Sequence, residues 1–372
     1  SGVEDYAMIG HGDGGGLTTS GTRQGGVRIF ADNGLSATDG GVANTSVFHQ
    51  SNGGLTVADY LGGDGFQLLA NGTTSFSNGA LNGVNTMVNG NFATGPVGFA
   101  FSNQIDILVG PGMDRTVNTA GSFLMMTGGN LEMRSSYQNS GIGSVTLVAG
   151  WDGSGVFTGG DVTFNGGDFC EPLIVGPNAG TDFSTCGTFG NNDSALIIGN
   201  STQTSAVRVG SRGGSNTFAG YGLTLHASTT TDNASGQLGF FGEGSGTMTG
   251  TLALFLKEGG LDLNAGTKGA FAQIGHGGRG SIAAAADATI AISFCEPGTV
   301  NLKSGTGDGA YSQIGHGGIL LGGNRAGAIT IGGNSPGGLA GSVSLKAGSA
   351  TDTYAQIGHG GRGSSGTTRS DI

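Results

Sequence analysis

Hydrophobic and polar residues alternate along this chain in short runs, for example VTLV at 145–148, VTF at 162–164 and LTL at 223–225. Clusters of Gly, Asn, Asp and Ser separate the runs, and apolar residues at helical spacing are almost absent. Alternation with a period of two, bounded by turn-forming residues, is typical of short β-strands. The pattern therefore predicts an all-β chain in which many short strands are joined by turns.

One eight-residue motif recurs at long range. It reads FAQIGHGG at 271–278, YSQIGHGG at 311–318 and YAQIGHGG at 354–361, and a degenerate copy, YAMIGHGD, occupies 6–13. The histidines at 276, 316 and 359 are separated by 40 and 43 residues. Sequence periods of about 20–50 residues indicate a solenoid or a propeller. The residues that we assign to the repeat are Tyr6, Ile9, His11, Phe271, Gln273, Ile274, His276, Tyr311, Gln313, Ile314, His316, Tyr354, Gln356, Ile357 and His359.

The connections between the predicted strands favour a solenoid. Propeller blades need hairpin turns of about two to five residues, whereas the connections here are longer and more variable. Coils that contact only their neighbours tolerate such loops. We therefore predict a right-handed parallel β-helix that forms one elongated domain over 1–372, with loop excursions at its turns. The clearest repeats lie at 255–363 and an excursion loop at 168–192, while one or two coils per repeat remain equally open.

Composition narrows the class of protein. Glycine accounts for 82 of 372 residues but proline for only 6, which excludes collagen, and 36% of the residues are hydrophobic, which suffices for a buried core. Only 10% are charged, the net charge is −11 and no basic run occurs, so we predict neither nucleic acid nor an anionic membrane as a partner. No stretch of 18 apolar residues occurs, so no transmembrane segment is predicted.

The three cysteines leave two interpretations open. Either they are incidental thiols, or Cys170 and Cys186 form a disulfide within the loop at 168–192, which suits an extracellular protein. The tetrapeptide FCEP recurs at 169–172 and 294–297, so Cys170 and Cys295 would lie three or more coils apart. That separation exceeds the distance that a disulfide allows. We therefore favour a Cys170–Cys186 pair and expect Cys295 to be unpaired or bonded to another chain.

The motif Y/F-A/S-Q-I-G-H-G-G, with V-x-L-x-A/S-G before it, resembles the repeats of very large bacterial surface proteins. These are exoproteins of the filamentous-haemagglutinin type, exported by two-partner secretion or as autotransporters. The resemblance is clearest over 255–363 and weaker over 1–30. It implies a right-handed parallel β-helix, export across the outer membrane, an extracellular or cell-surface location, and adhesive or scaffolding work. Since the chain begins without a signal peptide, we expect a mature product or a segment of a longer protein.

The repeated histidines are predicted to be structural. A catalytic group is needed once and in one geometry, whereas His276, His316 and His359 recur in register. We expect them at a corner of the coil, stacked on one another and hydrogen-bonded to turn backbone, in preference to a metal site or catalysis. The glutamines and aromatic residues of the motif alternate to the opposite face, where amide and aromatic ladders are expected. An aromatic strip that binds glycans is the functional alternative.

The predicted function is non-enzymatic. We expect a structural protein of an extracellular bacterial surface fibre or adhesin, whose partners are copies of itself, end to end, with surface glycans as a second class of partner. No cofactor is predicted, since GGDGFQ at 62–67 carries Gln67 where a calcium-binding repeat needs an acidic residue; Ca²⁺ is kept as a minor alternative. The alternatives are a carbohydrate-active β-helix (lyase, hydrolase or tailspike-like) and a glycan-binding module that uses the loop at 168–192.

Overall fold

The structure is a computed structural model that describes residues 6–8, 27–31, 36–38, 44–46, 66–70, 72–77, 97–101, 105–109, 114–118, 120, 123–151, 162–165, 172–175, 189–242, 246–280, 285–320, 322–333 and 341–368. Within them lie thirty-one β-strands and one 3-10 turn, Asn191–Asp193. In chain order the strands are β1 Tyr6–Met8, β2 Val27–Ala31, β3 Ser36–Thr38, β4 Asn44–Ser46, β5 Phe66–Ala70, β6 Gly72–Ser77, β7 Val97–Phe101, β8 Ile105–Val109, β9 Arg115–Val117, β10 Phe123–Thr127, β11 Leu131–Met133, β12 Tyr137–Asn139, β13 Val145–Ala149, β14 Val162–Asn165, β15 Pro172–Val175, β16 Leu196–Ile198, β17 Val207–Ser211, β18 Asn216–Gly220, β19 Leu223–His226, β20 Gly236–Leu238, β21 Leu252–Leu256, β22 Leu261–Asn264, β23 Ala272–Ile274, β24 Ala286–Asp287, β25 Ile290–Phe294, β26 Thr299–Lys303, β27 Tyr311–Ile314, β28 Arg325–Ala326, β29 Ile329–Gly333, β30 Ser342–Lys346 and β31 Tyr354–Ile357.

Three long parallel sheets run along the molecule, and each coil contributes one strand to each of them. Face A has the order β7-β10-β13-β18-β21-β25-β29, face B the order β3-β6-β8-β11-β16-β19-β22-β26-β30, and face C the order β9-β12-β17-β20-β23-β27-β31. Neighbouring strands within each face are parallel. The described strands thus wind through seven complete coils, from β7–β9 to β29–β31. This confirms the predicted all-β solenoid with parallel sheets.

One sequence repeat forms one coil of three strands. β23, β27 and β31, which belong to the three downstream motif copies, are neighbours on face C. Gln273 is paired with Gln313, and Gln313 with Gln356. Parallel register therefore places each motif residue on its equivalent in the next coil, about 4.8 Å away. The sequence left open whether one repeat forms one coil or two, and the structure shows that it forms one.

Inward-facing residues of the three faces form one continuous hydrophobic core. On face A, Leu252, Ile290 and Ile329 stack in register, and each is at most 1% exposed. Burial alternates along β21, β22 and β25, as a strand with one face in the core requires. Because residues of similar size repeat at the same position, each coil packs against both neighbours, and the repeating pattern produces the repeating fold.

Between β13 and β16 the chain leaves the coils. There β14 and β15 pair as an antiparallel hairpin, with Val162 opposite Val175, and they belong to none of the three faces. Most of the predicted excursion loop, 168–192, lies outside the described residues.

Among the residues that the structure describes, no helix is long and apolar enough to cross a membrane.

Cys295 follows β25, at the corner between faces A and B, and it is disulfide-bonded. This contradicts the prediction that Cys295 is unpaired or bonded to another chain. Cys170 and Cys186, which the sequence predicts to pair with each other, both lie outside the described residues.

Candidate functional site: the Gly-His-Gly corner

The three downstream motif copies build one corner of the solenoid. We call residues 275–278, 315–318 and 358–361 the Gly-His-Gly corner; they directly follow β23, β27 and β31. The first glycines, Gly275, Gly315 and Gly358, have φ angles of +144°, +149° and +144°, which residues with a Cβ rarely adopt. A Cβ atom on Gly275 would also collide with the carbonyl oxygen of Gly315 in the next coil. Both the turn and the close approach of successive coils therefore require glycine.

The corner stacks its imidazoles into a histidine column, formed by His276, His316 and His359. The ring centroids of His276 and His316 are 5.1 Å apart and those of His316 and His359 4.8 Å, with the planes inclined by only 7° and 8°. His276 and His316 are completely buried, and His359 is 8% exposed. The column therefore lies inside the protein rather than on a surface that a substrate could reach.

Both ring nitrogens of each column histidine contact backbone. Nδ1 accepts a hydrogen bond of 3.0 Å from a backbone N–H of the preceding coil, which is that of Phe240 for His276, of His276 for His316 and of His316 for His359. Nε2 contacts a carbonyl oxygen near the start of the same coil, which is that of Gly250, Ala288 and Gly327 in turn. A carbonyl only accepts, so the ring proton is on Nε2. One nitrogen thus closes the coil, and the other joins it to its neighbour.

Burial keeps the histidine column uncharged. It lowers the pKa of His276 to about 4, because a charged ring would lose its hydration. Burial also lowers the pKa of His316 well below its usual value, and the neighbouring imidazoles and Arg325 add to that effect. The pKa of His359 is lowered mainly by burial as well. These neutral rings have both nitrogens engaged by backbone, so they have no free lone pair with which to bind a metal or take up a proton.

The glutamines of the motif bind the corner of the next coil. Nε2 of Gln273 donates to the carbonyls of Gly315 and Gly317 at 2.9 and 2.8 Å. Nε2 of Gln313 makes the equivalent bonds to Gly358 and Gly360, both at 2.9 Å. The expected ladder of amide on amide is therefore wrong. The glycine turn directs two carbonyls of each coil at the amide before it, so the amide binds backbone instead of its own equivalent.

The aromatic residues of the motif form a stack in which Phe271 and Tyr311 are buried and Tyr354 is half-buried. Phe271, Tyr311 and Tyr354 are parallel, with centroid distances of 4.9 and 4.8 Å. The hydroxyl of Tyr311 donates to Oε1 of Gln273 at 3.2 Å. Phe271 and Tyr311 are 2% and 0% exposed, because Ile319 packs against them on the outside of face C. The predicted stack is present, but these two rings cannot serve as a glycan-binding strip, since no ring face is open.

A further copy of the motif precedes the three that the sequence revealed. The segment SGQLGFFG at 235–242 places Gln237 in register with Gln273, and Nε2 of Gln237 donates to Gly275 and Gly277 at 2.9 and 3.1 Å. Phe240 stands where the other copies have histidine, and its N–H donates to His276. This copy is hard to recognise from the sequence because Phe240 replaces the histidine. The triplet QLG at 237–239, set against QIG at 273–275, is the signal that could have found it.

The other predicted residues are placed as follows. Ile274, Ile314 and Ile357 pack in or against the hydrophobic core. Tyr6 lies in β1, whereas Ile9 and His11 lie outside the described residues. Within the described part of the chain, no three His, Cys, Asp or Glu side chains are grouped so that they could hold a metal ion.

The polar atoms of the corner all act on the chain itself. Imidazole nitrogens, glutamine amides and the Tyr311 hydroxyl bind backbone or side chains of the same or an adjacent coil. Chemically, this arrangement can hold coils in register. Comparison with protein-family models, with curated proteins and with solved structures finds no match for the chain.

Proposed function

We propose that this chain is a non-enzymatic structural segment of an extracellular bacterial surface fibre or adhesin. The observation that carries the proposal is the use made of the repeated motif. Its histidines, glutamines and tyrosines are the residue types that enzymes use for chemistry, yet here they are buried and bonded from coil to coil. The motif recurs in register, and its polar groups bond adjacent coils to each other. Such a motif suits a protein whose function is structural and whose shape is a rod.

The architecture supports the same function. Each coil needs only its neighbours, so a solenoid is lengthened by adding repeats without a new core. Parallel strands and the corner bonds run along the same axis, and they give β27 the same kind of contact with β23 on one side and β31 on the other. A stiff body that projects from a cell benefits from this, because its length follows from repeat number. The resemblance of the motif to the repeats of bacterial exoproteins supports the cell-surface location.

A second candidate is glycan binding by the side of the rod. A cavity of about 400 Å³ lies beside β24 and β28, and Asp287, Asn324, Arg325 and Thr367 are among its lining residues. Hydroxyl, amide and carboxylate groups on a shallow concave surface are suited to a neutral sugar. Arg325 itself is 2% exposed, and its guanidinium donates to the carbonyls of Gly322 and Ser365. That side chain therefore shapes the cavity floor, and the exposed groups would contact the sugar.

Electron microscopy of the purified chain, combined with glycan-binding and glycan-cleavage assays, tests both candidates. The structural proposal expects rods, a repeat near the coil spacing of about 4.8 Å in averaged power spectra, and no cleavage of any glycan. Binding without cleavage that is lost in Asn324→Ala would establish the second candidate. Glycan cleavage that disappears in Asp287→Asn, with the fold intact, would overturn the non-enzymatic function.

A further inference from the structure

We infer that Arg279, beside the turn that leads into β23, binds the carboxylate of an acidic sugar. The inference goes beyond the structural function proposed above and does not depend on it. The site is also separate from the cavity beside β24 and β28, whose lining does not include Arg279. It is recognised from a difference between two coils that carry the same motif. One coil pairs its outer arginine with a carboxylate of its own, and the other does not.

Arg279 and Arg362 occupy the same position of the repeat, directly after a GHGG segment. Nη1 of Arg362 forms an ion pair of 2.6 Å with Oδ2 of Asp352. Nη1 of Arg279 is buried and has no hydrogen-bond partner among the described residues. The position equivalent to Asp352 is Gly269, which has no side chain. The guanidinium of Arg279 therefore lacks the carboxylate that its equivalent has.

The turn at Gly269 keeps its shape although the side chain is lost. Asp352 and Gly269 both have a left-handed backbone, with φ angles of +64° and +68°. Nη1 of Arg279 and Oδ1 of Asn233 both lie close to the point where a Cβ of residue 269 would be. A donor and an acceptor from two different coils thus converge above one glycine. An unpaired buried N–H is costly, and a guanidinium suits carboxylates in its fixed fork, so the missing partner is a carboxylate from another molecule.

The surroundings favour an acidic sugar over a simple carboxylate. Arg279 is half-buried, so a ligand can reach its outer edge, and the exposed Lys268 adds a second positive charge at the same turn. At the positions equivalent to Lys268, the adjacent coils carry the exposed residues Asp232 and Asp308. Their carboxylates and Oδ1 of Asn233 accept hydrogen bonds from hydroxyl groups. A uronic acid matches this set, because it carries one carboxylate and several hydroxyls, whereas an anion without hydroxyls would meet only repulsion from the two aspartates.

Titration calorimetry of the full chain with glucuronate tests the site. We expect Arg279→Gln to weaken binding at least about tenfold, because it removes a charge-assisted hydrogen bond. Arg362→Gln is the matched control, since Asp352 already occupies that guanidinium, and it should bind like the wild type. Equal binding by Arg279→Gln and the wild type, or a wild type that binds no glucuronate, would overturn the inference and leave Arg279 as a hydrated cation only.

Two further probes separate the carboxylate from the sugar. Glucose lacks the carboxylate and acetate lacks the hydroxyls, so each should bind the wild type more weakly than glucuronate does. Glucose that binds as tightly as glucuronate would show that the guanidinium does not select the ligand. Acetate that binds as tightly would show that the hydroxyl groups contribute nothing. Either result would overturn the assignment to an acidic sugar.

A second variant supplies the missing carboxylate from within the chain. Gly269→Asp should abolish glucuronate binding, because it gives Arg279 the internal partner that Asp352 gives Arg362. The fold should persist, since Asp352 shows that aspartate adopts this backbone conformation, and the atoms near the added Cβ are the ends of the Arg279 and Asn233 side chains. Thermal unfolding checks that it does. A folded Gly269→Asp chain that binds glucuronate like the wild type would overturn the inference.

Discussion

The coils that carry the histidine column and the coils before them hold the same corner by different means. Downstream, His276, His316 and His359 repeat one set of bonds in register. Upstream, Gln138 reaches across Gly210 of the intervening coil, so that its Nε2 donates to Gly239 at 3.1 Å and its Oε1 accepts from Phe241 at 2.7 Å. The backbone N–H and carbonyl groups at the corner need hydrogen-bond partners in every coil, but different residues can supply these partners.

The comparison shows what the repeated residues add to the fold. Each upstream corner is held by a different polar side chain. One of these is Asn216, whose amide donates to the carbonyls of Ser211 and Gly214 within its own turn. Asn216 also donates to the carbonyl of Thr251 in the next coil at 3.1 Å. Neither Gln138 nor Asn216 carries a ring that becomes charged at mildly acidic pH. The histidine column joins three successive coils through neutral rings. The downstream coils should therefore be more regular, more sensitive to acid and less tolerant of substitution than the upstream ones.

The largest effect is expected from filling a corner glycine. Gly315→Val places a Cβ at a φ of +149° and against the carbonyl oxygen of Gly358. We expect a loss of about 4 kcal/mol or more in the free energy of unfolding, in the range of the most damaging single substitutions. Urea unfolding followed by circular dichroism measures it. Gly332→Ala is the control, because no atom lies within 4 Å of the added Cβ; a similar loss there would remove the special role of the corner.

Acid should unfold the downstream coils before the upstream ones. The folded-state pKa of His276 is about 4, below the value of about 6.5 of an unfolded chain, so the unfolded state takes up more protons between these values. The stability from the column is fully present above pH 6.5 and is lost as the pH falls towards 4, by about 3 kcal/mol for His276 alone. Hydrogen exchange resolved along the chain should show protection lost first at 272–318. Equal loss at 131–149 would contradict the comparison.

Removing one histidine of the column should lower the free energy of unfolding by less than acid does, because acid acts on all three histidines. His316→Ala leaves the N–H of His276 and the carbonyl of Ala288 without their partners inside the core. We expect a loss of about 3 kcal/mol, from unsatisfied backbone groups and a cavity, measurable by thermal unfolding. His226→Ala serves for comparison, because His226 is half-buried on β19 and belongs to no column. It should cost less than about 1 kcal/mol, and an equal cost at both sites would contradict the column.

The smallest effect concerns one hydroxyl. The hydroxyl of Tyr311 donates to Oε1 of Gln273 in the preceding coil. One coil earlier the equivalent residue is Phe271, which has no hydroxyl, and Oε1 of Gln237 is buried without a partner. Tyr311→Phe should therefore destabilise, and Phe271→Tyr should stabilise, each by about 1 kcal/mol. Differential scanning calorimetry of the two variants gives opposite shifts of Tm if this is right. Shifts of the same sign would show that ring packing, rather than the hydroxyl, decides the effect.

Sequence reasoning worked where one residue pattern has one structural solution. The spacing of the three GHGG copies predicts stacked coils, and the structure has one coil per repeat. The sequence did not reveal that the glutamines bind glycine carbonyls. The direction of those carbonyls depends on positive φ angles of the glycines, which cannot be read from residue types alone. Sequence reasoning also missed the copy at 235–242, where Phe240 fills the histidine position. The bond of Cys295 was also missed, because repeat spacing does not determine cysteine pairing.

Nitrogen-15 NMR of the histidine rings tests the central claim most directly, namely that the repeated histidines are neutral structural residues with both nitrogens engaged by backbone. At pH 7 the account predicts three rings as Nε2–H tautomers that are unchanged by added zinc. The rings of His276 and His316 should stay unprotonated at pH 5.5 while the fold persists. Asn or Gln at one column position should remove one of these three signals and assign it. Rings that titrate near pH 6.5 in the folded chain, or that shift when zinc is added, would contradict the account.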